Sequence, residues 1–140
     1  MYLAIDYGTK RIGAAIGEMI PTGLPIIFNE GEKTILKLLE IIEREEIDAI
    51  VFGLPTRSQG EDGTISPEIR EFAKKLAQRA EKPVFFEPEE LTSMEAESMI
   101  KQNNLKYAVD ELAAVLILEQ FINRVDKEGY DKLKPDIGVV

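Results

Sequence analysis

The sequence predicts an α/β domain: a mixed sheet, its first strands antiparallel and its later strands parallel, with helices on both faces. Three observations predict it. Two short apolar runs, Tyr2 to Tyr7 and Ile12 to Ile16, are separated by only Gly8-Thr9-Lys10-Arg11, a spacing that suits a hairpin. Residues 32–46 then switch to helical periodicity, with Ile35, Leu38, Leu39 and Ile42 at i, i+3, i+4 and i+7. Next comes Ala49-Ile50-Val51-Phe52, an apolar run without alternation, which suits a parallel strand covered on both faces.

The remaining elements follow in order. Between the second run and the first helix, Pro21 to Phe28 contains two prolines and the stretch Leu24-Pro25-Ile26-Ile27-Phe28, a third strand of edge type. Gly53-Leu54-Pro55 closes the fourth strand, and Thr56 to Thr64 is a polar loop. Ser66-Pro67 marks a helix start, with serine as N-cap and proline at the first helical position. That helix places Ile69, Phe72, Ala73, Leu76, Ala77 and Ala80 on one face. Pro83 to Phe86 is a short buried strand, and Thr92 with Glu95 forms a capping box opening a helix to about Ile100. Asn103-Asn104 ends it, and Val109 to about Asp126 is the longest helix, apolar nearly all round between Leu112 and Leu118. Residues 1–140 read as one domain, with 129–140 a tail.

Composition narrows the chemistry. The 140 residues contain neither cysteine nor histidine, so disulfides, thiolate nucleophiles, histidine bases and His- or Cys-ligated zinc are excluded. Catalysis has to run on carboxylates, Lys, Arg, Tyr, hydroxyls or an oxygen-bound metal. No apolar stretch approaches the ~18 residues needed to span a membrane, and the N-terminus carries no basic leader, so a cytoplasmic protein is expected. With 17 Lys+Arg against 26 Asp+Glu, the net charge is −9, which opposes nucleic-acid binding through a broad basic surface.

Asp6 is the first candidate for chemistry. It stands at the carboxyl end of the first strand, the edge where open α/β sheets form ligand crevices. Gly8 and Thr9 supply a tight turn with donors able to face a phosphate, and Lys10 and Arg11 add positive charge. A strand-end Asp followed by Gly is equally a common turn. Asp110 lies in the first turn of the last helix and shares a face with Ala113, Ala114, Ile117 and Phe121. The two alanines would let that helix approach the sheet, although an acid there also complements the helix dipole. Glu87, Glu89 and Glu90 follow the last strand around Pro88, and the plain reading is a solvated acidic loop. Asp6, one of these glutamates and Asp110 could nevertheless converge at one strand edge. Three such carboxylates repel unless a cation neutralises them, and Mg²⁺ or Mn²⁺ suits an all-oxygen site. Gly53 could admit close backbone approach by a substrate, and Arg57 could touch a phosphate.

In order along the chain stand Asp6-Tyr7-Gly8-Thr9-Lys10-Arg11-Ile12-Gly13, Val51-Phe52-Gly53-Leu54-Pro55, Glu89-x-Leu91-Thr92-Ser93 and Asp110-x-x-Ala113-Ala114-x-x-Ile117-Leu118. With these motifs the chain resembles, from residue 1 to about 125, the YqgF family of pre-16S rRNA nucleases, also called Holliday-junction-resolvase-like. The resemblance implies an RNase H-like fold, a five-stranded mixed sheet with helices on both sides. It implies Asp6, Glu89 and Asp110 as catalytic metal ligands for Mg²⁺ or Mn²⁺, and Lys10 and Arg11 as cations facing the substrate. The chain departs from the family where Pro88 replaces an aspartate, Glu90 replaces an arginine, and Arg57 stands where an asparagine is common.

The function implied is metal-dependent hydrolysis of RNA, at the 5′ end of the 16S ribosomal RNA precursor, with the small-subunit precursor as partner and a monomer or homodimer as the acting form. Resolution of branched DNA is the alternative enzyme reading. A binding module whose metal site has degraded is the non-catalytic one. The Asp-x-Gly-Thr turn also resembles the phosphate loop of actin-like ATPases, which require two lobes where this length provides one.

Overall fold

The computed structural model describes residues 1–54, 66–88 and 109–139, the first three of the last segment by backbone alone. Five strands form one sheet: β1 (Tyr2–Asp6), β2 (Arg11–Gly17), β3 (Thr22–Phe28), β4 (Ala49–Leu54) and β5 (Val84–Pro88), in the spatial order β3-β2-β1-β4-β5. β1 pairs antiparallel with β2 and parallel with β4, and β4 pairs parallel with β5, as the sequence predicts. The helices are α1 (Glu32–Arg44), α2 (Pro67–Ala80) and α3 (Val109–Glu128).

Alternation along the strands separates two cores. On one face Leu3, Ile5, Ile12, Ile50, Phe52 and Phe86 pack against Ile35, Leu38 and Ile42 of α1 and Ile69, Phe72 and Leu76 of α2. Arg79 of α2 also pairs with Glu32 of α1. On the other face Ala4, Ala15, Ala49, Val51 and Phe85 meet Ala114, Ile117, Leu118, Phe121 and Ile122 of α3. β4 is buried through Gly53 because both layers cover it. Ala114 is the sheet-contacting alanine of α3, while Ala113 is only half-buried.

Local sequence accounts for the irregularities. At the edge strand β3, the register slips between Ile12 and Ala14, so Pro25 and Ile26 stand opposite Gly13. A bulge is where a sheet tolerates a proline that cannot donate to the ladder. Ser66 occupies the N-cap of α2 ahead of Pro67 as expected, but its side chain makes no capping hydrogen bond; its carbonyl accepts from Arg70 N–H at 3.0 Å. β5 runs on to Pro88, two residues past the predicted end.

The predicted tail is bonded to the body. Residues Tyr130–Lys132 form a 3-10 turn, and Ile137 exchanges hydrogen bonds with Val84 at 2.9 and 3.0 Å. Asp136 accepts from the Phe86 N–H at 2.8 Å, so the chain end covers the open side of β5. Beneath the sheet, Tyr130 stacks on Tyr2 at 5.9 Å and Phe121 meets Tyr2 edge-on at 5.3 Å. The predicted loop 56–64, the helix from Thr92 to about Ile100 and the Asn103-Asn104 break lie outside the described residues. Among the described residues no helix is long and apolar enough to cross a membrane.

Burial pushes the Tyr2 and Tyr130 hydroxyls above the ordinary tyrosine range, helped by each other's proximity at Tyr2 and by Asp48 at both. A raised acid pKa means the fold favours the neutral phenols. Their contribution is fully present below about pH 10 and is lost as pH rises through the folded-state values. Urea midpoints should therefore fall as pH rises above about 10, and fall less in Tyr2→Phe/Tyr130→Phe. Equal slopes in the two proteins would contradict the assignment.

Candidate active site

Asp6 is the last residue of β1 and is half-buried. Its register partner on β2 is Gly13. On the other side, β1 and β4 are in register through Ile5 and Phe52, so the next residue, Gly53, flanks Asp6; Gly53 is in turn paired with Glu87. Across four strands the row therefore reads Gly13, Asp6, Gly53, Glu87. With strands about 4.8 Å apart, the Asp6 and Glu87 backbones are roughly 10 Å apart. Alternation puts this row on the α3 face, two residues beyond Ala15, Ala4, Val51 and Phe85. Neither strand neighbour of Asp6 carries a side chain. The sequence pointed to Gly53 for close approach; Gly13 matches it on the opposite side.

α3 crosses this face obliquely. Phe121 and Tyr130 lie by Tyr2 at the foot of β1, and Ala114, Ile117 and Leu118 pack over Ala4, Ala15 and Val51 of the sheet; the Asp110 backbone lies in the first turn of this helix. The Asp110 side chain lies outside the described residues, as do Glu89, Glu90 and Arg57. Among the described residues no three acidic side chains gather as a metal-holding group.

Glu87 corrects the sequence reading. It is not part of a solvated loop but lies inside β5, 3% exposed, with its carboxylate turned to α3. Gln120 donates to its Oε1 at 3.0 Å, and Arg124 approaches its Oε2 at 3.2 Å. The same Gln120 amide donates to the Pro88 carbonyl at 2.7 Å. Arg124 also lies over the Phe121 ring, 5.5 Å from its centroid. One helix face thus neutralises a buried acid and fixes the end of β5, one peptide bond before Glu89. Neither Gln120 nor Arg124 stood out in the sequence, where polar residues on a long helix read as solvent-facing.

The loop between β1 and β2 carries the cations. Thr9, Lys10 and Arg11 are exposed, and Gly8 turns the chain so tightly that a Cβ there would collide with the Arg11 carbonyl oxygen. Opposite the Asp6 row, on the α1–α2 side, lies a cleft of about 520 Å³ lined in part by Tyr7, Ile35, Phe72 and Lys75. Glu32, Glu68 and Glu71 on its rim make it unsuited to a polyanion.

A five-stranded mixed sheet in the order β3-β2-β1-β4-β5, with two helices on one face and a long helix across the other, is an RNase H-like fold. A family model described as RuvX, Holliday junction resolvase, matches residues 1–124, and the chain belongs to that family, also called YqgF. A relative from Koribacter versatilis named "Putative pre-16S rRNA nuclease" is 37% identical over 142 aligned positions, covering 95% of this chain and 91% of its own. One of the same name from Oleidesulfovibrio alaskensis is 36% identical, covering 91% and 99%. Among solved structures, Thermus thermophilus RuvC in complex with a Holliday junction substrate superposes with a TM-score of 0.58 at 16% identity, covering 96% of this chain and 99% of that one. At that identity the likeness speaks to the fold.

Removing one partner of the Glu87–Arg124 pair leaves the other charge poorly compensated, so Arg124→Ala should cost about 1–3 kcal/mol in urea unfolding. Glu87→Leu/Arg124→Met, which removes both charges, should recover most of that loss. A double variant less stable than Arg124→Ala would show that the pair itself is strongly favourable.

Proposed function

We propose that this chain is a metal-dependent nuclease that hydrolyses RNA and processes the 5′ end of the 16S ribosomal RNA precursor. The observation that carries the reading is the placement of Asp6: it ends the central strand between two glycines, on the face crossed by α3, beside an exposed turn bearing Lys10 and Arg11. The names of the relatives support RNA as substrate.

An all-oxygen donor set fits a hard cation, and a chain without histidine or cysteine has only oxygen to offer a metal. Asp6, Glu89 and Asp110 would hold Mg²⁺ or Mn²⁺, which when bound supplies positive charge to align water and phosphate. Lys10 and Arg11 contact the backbone phosphates and hold the strand in register. The Thr9 hydroxyl and the turn's N–H groups orient the phosphate beside Asp6. The space left by Gly13 and Gly53 admits the phosphodiester close to the sheet edge. Arg57 adds a further phosphate contact. In the hydrolysis, the water oxygen bonds to phosphorus and gives up a proton, the bridging P–O bond breaks, and the departing oxygen takes up a proton.

The acidic chain binds its substrate locally, through few cations, so affinity is modest and falls steeply with salt. Hydrolysis of single-stranded RNA, single-stranded DNA and a synthetic four-way junction, each with Mn²⁺, tests the reading. We expect RNA to be cut preferentially and Asp6→Asn to lose at least about a hundredfold in rate, as when a single preorganised stabilising group is removed. Preference for the junction would establish branched DNA as substrate instead. No cleavage together with no Mn²⁺ heat in calorimetry would establish a non-catalytic binding module. Cleavage undiminished in Asp6→Asn would overturn the assigned site.

A further inference from the structure

Asn29 lies between β3 and α1 and was not distinguished by any motif, yet it is bonded to the β1–β2 turn twice. Its Nδ2 donates to the Gly8 carbonyl at 2.9 Å, and its backbone N–H donates to the Lys10 carbonyl at 2.9 Å. Its Oδ1 accepts from the Gly31 N–H at 3.3 Å, an Asx turn that leads into α1. Asn29 is itself held on both sides. Thr34, 2% exposed in the first turn of α1, donates from Oγ1 to the Phe28 carbonyl at 3.0 Å and accepts from the Glu30 N–H at 2.7 Å.

A hydrogen-bonded path therefore runs from the buried start of α1, through Thr34 and Asn29, to the backbone carbonyls on either side of Thr9. Thr9, Lys10 and Arg11 are exposed, so their own side chains are not packed to set the direction of the turn. Gly8 permits the tight turn but, lacking a side chain, cannot brace it. The Asn29 amide supplies a brace from a neighbouring element.

We propose that Asn29 is a positioning residue for nucleic-acid recognition: it holds the Gly8–Lys10 backbone so that the Thr9, Lys10 and Arg11 side chains point to the substrate phosphates. The inference rests on the nuclease reading above and deepens it, because it explains how an exposed turn keeps a fixed phosphate-binding geometry. A shift of about 1 Å in such a turn is enough to cost one to two orders of magnitude in rate.

The test uses the full chain and kcat and KM for single-stranded RNA with Mn²⁺. Asn29→Ser keeps a short acceptor for the Gly31 N–H but cannot reach the Gly8 carbonyl, and it adds no charge. Asn29→Leu removes both side-chain bonds. Both should raise KM and lower kcat/KM by about tenfold, with the thermal midpoint of Asn29→Ser nearly unchanged. The decisive readout is coupling to the cations. In a Lys10→Ala/Arg11→Ala background, adding Asn29→Ser should cost less than about twofold, because the contacts it positions are already gone. Effects that simply multiply, or kcat/KM unchanged in folded Asn29→Ser, would overturn the inference while leaving the nuclease reading intact. A wild-type protein inactive on RNA and on junction DNA would overturn both. If Asn29→Leu fails to fold, Asn29→Ser alone decides the question.

Discussion

The close approach of α3 to the sheet is the constraint on which the other features depend. Ala4, Ala15 and Ala49, on three neighbouring strands, and Ala114 of the helix are all fully buried against one another's layer. Larger side chains there would lift the helix, since packed layers separate according to the side chains between them. Lifting it would break the Gln120 hydrogen bond and the Arg124 ion pair to Glu87 and the packing of Phe121 on Tyr2. It would also move the turn that bears Asp110 away from the face that bears Asp6. Two residues beyond Ala15 and Ala4, at the carboxyl end of β1, Gly13 and Gly53 flank Asp6, so small residues continue from the helix contact to the neighbours of the acid.

Charge is arranged in the same economical way. The net −9 reflects helix surfaces, for example Glu40 and Glu43 of α1, and not the turn beside Asp6, where Lys10 and Arg11 are exposed. Glu87, the most deeply buried acid among the described residues, is matched by Arg124 and Gln120. A protein of this charge engages a polyanion over a short stretch and only with its own acids compensated.

Much of this was legible in the sequence. The β1–β2 hairpin, α1, the covered strand β4, the proline-led α2 and the long α3 follow from periodicity and breakers, because each is a local pattern repeated over several residues. Asp6 was legible because a strand end is visible as the point where an apolar run stops. Glu87 was not: Glu-Pro in an acidic stretch has the composition of a surface loop, and the partners that bury it lie 33 and 37 positions later. Asn29 was equally hidden, since a side-chain amide bonded to a backbone carbonyl 21 residues earlier leaves no periodic trace. The tail reads as polar and proline-containing, yet a few backbone bonds to Val84 tie it down. Hydrogen bonds between distant segments are the common factor in what the sequence withheld.

The metal and phosphate chemistry is proposed to gather at the carboxyl edge of β1. Paramagnetic broadening of the amide NMR spectrum by substoichiometric Mn²⁺ tests this most directly, because it maps the ion without requiring turnover. Broadening should centre on Asp6 to Thr9, Gly53 and the first turn of α3, with Tyr2, Tyr130 and the foot of the sheet spared, and the pattern should be lost in Asp6→Asn. Broadening centred on the helix surfaces, or unchanged in Asp6→Asn, would contradict that placement.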